Sequence, residues 1–273
     1  MTLPSSLRRL PSKAVLERMY RRYNDRRFAA YDPVGLVHAY DAPADQEIAA
    51  LCAALFAFGN AKVICRTVQQ LLHALGTPYG GLMRLTRAEF RRDFCRFRYR
   101  WVRAKDLEEL LFAVQSMLRE FESIGEAVRA SDDPTSPTII PTLKRFVETL
   151  HSHGVRPKNP LVPHPDDGSA CKRWCMLWRW MVRRDAIDLG LWEAMNPARL
   201  VVPLDTHLFH VCRKWNLTQR QTAGLPTALE ITAAFRELCP SDPVRYDFAL
   251  TRPGILQTWL RSTHAAPAIH ALA

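Results

Sequence analysis

The segment around Asp205 carries the side chains best suited to chemistry. Asp205 directly precedes a helical pattern in which Leu208, Val211, Cys212 and Trp215 form one apolar stripe. An aspartate at this position accepts hydrogen bonds from the first free N–H groups of the helix, and the helix dipole stabilises its negative charge. From the residues alone, Asp205 is either a helix cap or a fixed carboxylate that faces a reacting group.

A metal site is a second interpretation of the same segment. His207 and His210 are three residues apart on one helical face beside Asp205, a spacing that a metal ion could use. Asp185 and Asp188 are further possible ligands, although turn caps or ion pairs with neighbouring arginines explain them more simply. The seven cysteines are odd in number and include no CxxC pair, so we expect buried thiols rather than disulfides or zinc. We expect no metal and no other cofactor.

A basic helix precedes this segment. Its predicted start is Ser169, and its buried side carries Trp174 and Trp178. Lys172 and the two arginines that follow at i+7 and i+11 share one face of this helix. Lys172 is either a solvated surface lysine or an amine that takes part in chemistry.

The elements that must position these residues are helical throughout. Apolar residues recur at helical spacing around Ile48, Ile64, Leu107, Leu143 and Ile231, and no strand pattern appears. The sequence therefore predicts an all-α fold. Residues 1–27 form one predicted amphipathic helix, Thr227 and Glu230 form a predicted capping box, and Ser241–Pro243 opens a last helix. The segment 84–105 interleaves basic and aromatic residues, which indicates a core element more often than a nucleic-acid surface. From Thr251 onward the sequence shows no clear pattern.

Composition limits the class of partner. The 273 residues are 48% hydrophobic and carry a net charge of +11, which indicates a globular chain with a polyanionic partner. Arginine supplies most of the excess, and arginine suits bidentate phosphate contacts, although a GC-rich genome also raises the arginine content. No apolar run is long enough for a membrane span or a signal peptide. We expect a cytoplasmic protein that binds no membrane.

The segment Pro203-Leu204-Asp205-Thr206-His207 resembles the Val-Asp-Thr-His segment of the endonuclease III branch of the helix-hairpin-helix DNA glycosylases. The resemblance covers roughly residues 200–250 and includes Tyr246-Asp247-Phe248, with a weaker match at Ile48–Phe58. The stretch from Arg183 through Trp192 into this segment also resembles a bacterial family without an assigned function.

This resemblance implies a two-lobed helical glycosylase fold with a cleft between the lobes. Residues 1–43 would hold a basic helix that packs with the C-terminal lobe, residues 44–200 would form the lobe that carries Lys172, and residues 201–273 the lobe that carries Asp205. The protein would act as a monomer on double-stranded DNA and excise a flipped, damaged base.

The resemblance also implies roles for individual residues. Asp205 matches the essential carboxylate, and Lys172 is our candidate for the nucleophilic amine of bifunctional members, because its separation from Asp205 is similar to that in archaeal 8-oxoguanine glycosylases. Residues expected to bind the substrate are Arg173, Arg179, Arg183, His207 and Asp247, although a hydrogen-bonding role in the core suits Asp247 better. The usual Leu-Pro-Gly-x-Gly hairpin and the four C-terminal cysteines of an iron–sulfur cluster are missing.

Two other classes of function remain open from the sequence. A non-catalytic nucleic-acid-binding protein would keep the basic surface and use Asp205 only as a helix cap. A metal-dependent hydrolase would bind its metal through His207 and His210.

Overall fold

A computed structural model describes the backbone of residues 10–261 and the side chains up to residue 256. This part of the chain is predominantly helical, which confirms the all-α prediction. Within it there are thirteen α-helices, α1 to α13: Lys13–Tyr23, Arg26–Ala29, Pro43–Leu55, Ala61–Leu75, Pro78–Arg84, Arg87–Phe94, Ala104–Phe121, Ile124–Ala130, Ile140–Ser152, Lys172–Val182, Thr206–Lys214, Leu225–Leu238 and Asp247–Arg261. Short 3-10 helices span Pro33–Ala39, Pro165–Asp167 and Pro197–Arg199.

One small hairpin interrupts the helices. Its strands are β1 (Arg98–Tyr99) and β2 (Val102–Arg103), which pair antiparallel with Tyr99 opposite Val102. The sequence predicted no strand here, because two residues are too few to show the alternation that marks a strand.

Side-chain caps explain where several helices begin. The Asn60 side chain accepts hydrogen bonds from the backbone N–H groups of Lys62 and Val63 at the start of α4, and Thr86 with Glu89 forms a reciprocal capping box on α6. Gly76 ends α4 with a positive φ of 76°, a conformation that glycine adopts without steric cost. Helix α4 therefore lies where the apolar spacing around Ile64 predicted a helix, with Asn60 and Gly76 as its two ends.

Two predicted helix starts are wrong. Helix α10 begins at Lys172, after Cys171 in the left-handed region, and not at Ser169. Helix α12 begins at Leu225, and the predicted box of Thr227 and Glu230 does not form. The Thr227 hydroxyl instead donates to a loop carbonyl, and the Glu230 carboxylate accepts hydrogen bonds from residues before the helix. Groups in the preceding loop thus bond the side chains that the sequence pattern assigned to a capping box.

Both ends of the chain also differ from their predictions. The last helix begins at Asp247 rather than at Ser241–Pro243, and it continues through Pro253 to Arg261, where no helix was predicted. At the other end, the predicted single helix over residues 1–27 is two helices, α1 and α2. Residues 1–9 and 262–273 of the predicted termini lie outside the described residues. Helix α1 packs on α13.

Helix α3 lies at the centre of the core. Every residue from 47 to 55 is buried, and the helix packs against α4, α5 and α10. Burial on all sides is typical of a central helix, whereas a surface helix buries one stripe. Trp174 and Trp178 of α10 are fully buried, as predicted. Together these helices fix the position of the first residue of α10, Lys172.

The basic and aromatic segment divides between core and surface. Phe90, Phe94 and Tyr99 are buried, which confirms the predicted core role for these three rings. Trp101 is instead 55% exposed. Among the helices of the described residues, none is both long enough and apolar enough to cross a membrane.

Candidate functional site

One cavity is lined by both predicted catalytic residues, Lys172 and Asp205. Its volume is about 210 Å³, below the range of roughly 300 to 1,000 Å³ that is typical of drug-sized ligands. Its walls come from residues 31–33, residue 57, residues 59–62, residue 64, α10, the start of α11 and the first half of α13. Seven charged side chains line it: Asp32, Lys62, Lys172, Arg179, Asp205, Asp247 and Arg252.

Asp205 lies at the N-terminus of α11 and lines the cavity. Its Oδ1 atom accepts a hydrogen bond of 2.7 Å from the backbone N–H of Leu208, and the side chain is half-buried. No ion pair reaches its carboxylate from any residue that the structure describes. The helix N-terminus therefore holds the carboxylate in one orientation and leaves it accessible from the cavity.

Lys172 is the first residue of α10 and lines the same cavity. Its Nζ atom donates a hydrogen bond of 3.3 Å to the backbone carbonyl oxygen of Ala57. Within the described part of the chain Lys172 forms no ion pair, so its amine and the carboxylate of Asp205 are not within ion-pair distance of each other. The lining of the cavity thus includes an amine and a carboxylate that form no ion pair with each other.

An ion pair between Arg179 and Asp247 lies in the wall of the cavity. The Arg179 Nη1 atom lies 2.6 Å from Asp247 Oδ1, and both side chains are almost fully buried. Burial lowers the pKa of the Arg179 guanidinium, but the carboxylates of Asp188 and Asp247 outweigh this effect and hold the pKa above its usual value. Arg179 is therefore a fixed cation whose charge is already balanced by protein groups. Trp180, an aromatic side chain next to it, also lines the cavity.

Arg252 is a cavity residue that the sequence analysis missed. Its Nη2 atom donates to Asp32 Oδ2 at 2.9 Å, and its guanidinium carbon lies 4.0 Å from the centre of the Phe248 ring. The Nε and Nη1 atoms are buried and have no hydrogen-bond partner. Unsatisfied buried donors of a charged group are costly, and both atoms are closed off from solvent in this structure. No signal could have found it, because it lies where the sequence shows no clear pattern.

Arg173 and Arg183, two predicted substrate contacts, do not line the cavity. Arg173 donates to the carbonyl oxygens of Leu55 and Pro160, and burial lowers its pKa to about 10. Arg183 is buried in a set of ion pairs with Asp185, Asp188 and Asp242. For both residues, direct substrate binding does not fit the structure, because protein groups already occupy their donors.

The two histidines behave differently from each other. His207 is exposed and lines the cavity, whereas His210 is exposed and does not line it. Among the described residues, no group of three or more His, Cys, Asp or Glu side chains is arranged to hold a metal ion. All seven cysteines are free thiols.

The fold and the site define a predominantly helical protein with a small cavity that contains a capped carboxylate and an unpaired amine. Residues 32–256 match the DUF2400 family, which is described as a protein of unknown function. Because the match spans more than half of the chain, the chain belongs to this family. No curated protein and no solved structure gives a significant match to it.

Proposed function

We propose that this chain is a DNA-binding base-excision glycosylase, with Asp205 as its catalytic carboxylate and Lys172 as its nucleophile. The observation that carries the proposal is that an accessible carboxylate and an accessible amine, neither in an ion pair within the described residues, line one small cavity. A net charge of +11 favours the approach of a polyanion to this cavity.

The chemistry follows from the two charged groups. Breaking an N-glycosidic bond builds positive charge on the deoxyribose, and a fixed carboxylate at Asp205 stabilises that charge. In the proposed step the Lys172 nitrogen forms a bond to C1′ as the bond from C1′ to the base breaks. The base leaves with the bonding electron pair and takes up the proton that the Lys172 nitrogen loses. The resulting amine adduct opens to a Schiff base, which permits strand cleavage.

The proposed fold is a two-lobed arrangement with the cavity at the bottom of a cleft. In its support, residues of α4, α10, α11 and α13 all line the cavity. Helix α1 packs on α13, as the proposal requires if the N-terminal helix belongs to the C-terminal lobe.

A flipped base is the ligand that best suits this cavity. The volume of about 210 Å³ favours a small, flat group. Arg252 also lines the cavity and carries two unpartnered donors. A small movement of its side chain would bring them to the acceptor atoms of a base edge. Trp180 also lies in the lining of the cavity, and bases in flipped positions stack on aromatic side chains.

A cytoplasmic location and a monomeric state complete the proposal. Seven free cysteines are typical of a reducing compartment. A monomer would leave the cavity open to a duplex from one side.

The test is base release from duplexes that carry 8-oxoguanine, uracil, an oxidised pyrimidine or an alkylated base. We expect release from at least one of them and a covalent protein–DNA adduct after borohydride reduction. The adduct should disappear in Lys172→Gln and persist in the control Lys214→Gln, which changes an exposed lysine outside the cavity. No release from any duplex, or an adduct that does not depend on Lys172, would contradict the proposal.

A non-catalytic nucleic-acid-binding protein is the second candidate. The hydrogen bond from Leu208 N–H to Asp205 favours it, since a helix cap alone would explain that contact. In that case no duplex would lose a base, and Asp205→Asn would bind DNA as the wild type does.

A further inference from the structure

The hairpin of β1 and β2 presents a tryptophan to solvent. Trp101 is 55% exposed and is one of two exposed large apolar side chains in the described part of the chain; the other is Val63 at 51%. Large aromatic side chains are usually buried or placed where a partner covers them. Trp101 is therefore a candidate contact for a binding partner.

The protein holds the Trp101 ring in a fixed position. The ring stacks on Phe58 with a centroid distance of 4.9 Å and an interplanar angle of 21°. Tyr99, which is buried, donates its hydroxyl hydrogen to the carbonyl oxygen of Phe58, and the buried Val102 anchors the second strand. A ring fixed in this way loses little conformational entropy when a ligand stacks on it.

Exposed arginines lie in and next to the hairpin that carries Trp101. The Arg100 guanidinium carbon lies 4.8 Å from the centre of the Trp101 ring. Four arginines in and next to the hairpin are exposed, and within the described residues none of them forms an ion pair: Arg96, Arg98, Arg100 and Arg103. Trp101 thus has exposed aromatic surface next to exposed guanidinium groups that form no ion pair within the described residues. This combination has the chemistry of a single-stranded nucleic-acid contact, in which bases stack and phosphates pair with arginine.

The hairpin packs on a wall of the candidate site. Phe58, on which Trp101 stacks, lies between Ala57 and Gly59, and both of these residues line the cavity. Gly59 has a positive φ of 110°, and a side-chain carbon there would lie only 2.7 Å from Arg100 Nη1. The Lys172 amine donates to the carbonyl oxygen of Ala57 on the same segment.

We infer that Trp101 is a stacking site for an unpaired nucleobase of DNA and that the hairpin arginines bind the phosphates on either side of that base. The inference rests on the proposed function for the identity of the polyanion. Extrusion of a target base into the cavity leaves its former partner unpaired and its neighbours unstacked. A fixed aromatic face beside the cavity would stabilise DNA in that state.

The test measures binding and needs neither a damaged base nor catalysis. The probes are a fully paired duplex and the same duplex with one bulged thymine, each labelled for fluorescence anisotropy. We expect the wild type to prefer the bulged duplex. Trp101→Ala should weaken binding of the bulged duplex roughly tenfold and leave the paired duplex nearly unchanged. Trp101→Phe should keep most of the preference.

Matched variants separate stacking from charge. Val63→Ala removes the other exposed apolar side chain and should have no effect on either probe. Arg98→Gln and Arg103→Gln should weaken both probes equally, and each should reduce the slope of log affinity against log salt concentration by about 0.9. Thermal unfolding of each variant checks that the fold is intact.

Two results would overturn the inference. One is an equal loss, or no loss, for both probes in Trp101→Ala. The other is no preference of the wild type for the bulged duplex. Either result leaves the glycosylase proposal standing if base release still depends on Asp205, so the two failures are distinguishable.

Discussion

Two charge-rich regions each contain a residue of α10, and they use the same residue types in opposite ways. The first region, which we call the buried ionic cluster, consists of Arg179, Arg183, Asp185, Asp188, Asp242 and Asp247. Nearly all of its charges are paired and out of contact with solvent. The second region is the cavity wall with Lys172 and Asp205, in which the carboxylate and the amine have no ion-pair partner among the described residues.

Charged side chains that form ion pairs within the protein support the fold, whereas charged side chains of the same types without such a partner are available to a ligand. In the buried ionic cluster, Asp188 Oδ2 accepts hydrogen bonds from Arg179 and Arg183, so no guanidinium is left for a ligand. Around the cavity, backbone groups alone orient Asp205 and Lys172. Stability should therefore depend on the first region, and activity on the second.

The largest effect on stability should come from the buried ionic cluster. Asp188→Ala leaves two buried guanidinium groups without their shared carboxylate, so we expect the free energy of unfolding to fall by about 3 to 5 kcal/mol. Urea denaturation measures this change. The control is Glu193→Gln, which removes an exposed pair with Arg184 and should change stability by less than about 1 kcal/mol. Similar losses of stability in both variants would contradict the claim that the buried ionic cluster stabilises the fold more than an exposed ion pair does.

Arg252 has features of both regions, because it is buried like the cluster but keeps two donors unpartnered. Arg252→Lys retains a cation opposite Asp32 and loses the guanidinium donors. We expect base release to fall by roughly tenfold to a hundredfold, with little change in stability. Arg183→Lys should do the reverse and destabilise the fold. If Arg252→Lys is fully active, Arg252 does not contact the base.

A partly exposed pair should give an intermediate effect. Hydrogen bonds from Arg245 and Tyr246 lower the pKa of Glu17 from 4.5 to about 2, and the side chains of Glu17 and Arg245 are 24% and 30% exposed. Because the folded-state pKa is depressed, the stabilisation is present above pH 4.5 and is lost as the pH falls towards 2.

Glu17→Gln should therefore cost about 1 to 2 kcal/mol at pH 7, after allowance for solvent screening. The difference from the wild type should close between pH 4.5 and pH 2. Denaturation curves at several pH values measure it, and a difference that does not depend on pH would contradict the assigned cause.

The smallest change in stability should come from the site itself. Asparagine caps a helix about as well as aspartate does, so Asp205→Asn should change the free energy of unfolding by only a few tenths of a kcal/mol. Asp205→Ala loses the cap and should cost about 1 kcal/mol. Thermal unfolding of the two variants tests this, and a large loss in Asp205→Asn would show that the charge itself supports the fold.

Apolar spacing predicted most of the fold but few helix ends. The apolar spacing around Ile64 predicted α4 correctly, and the buried stripe of this helix packs on α3 and α5. The starts of α10 and α12 were wrong, since Ser169 accepts from the N–H of Cys171 and Thr227 donates to the carbonyl oxygen of Thr222, in both cases outside the helix.

The candidate site shows the same division. A local motif drew attention to Asp205, and the tertiary structure brings Lys172 to the same cavity. Arg183 has the same spacing signal as Lys172, yet its partners Asp188 and Asp242 bury it. Only the distribution of these distant carboxylates distinguishes the two cations. The sequence did not indicate Arg252, because only the folded structure shows which of its donors remain unpartnered.

The rate of base release by Asp205→Asn decides whether the cavity carboxylate does chemistry or only caps α11. This variant keeps the cap and removes the negative charge. On a duplex from which the wild type releases a base, we predict a fall in rate of at least about a hundredfold, with affinity for the duplex and stability both nearly unchanged. Release within threefold of the wild-type rate would contradict a catalytic role for Asp205 and leave it as a helix cap.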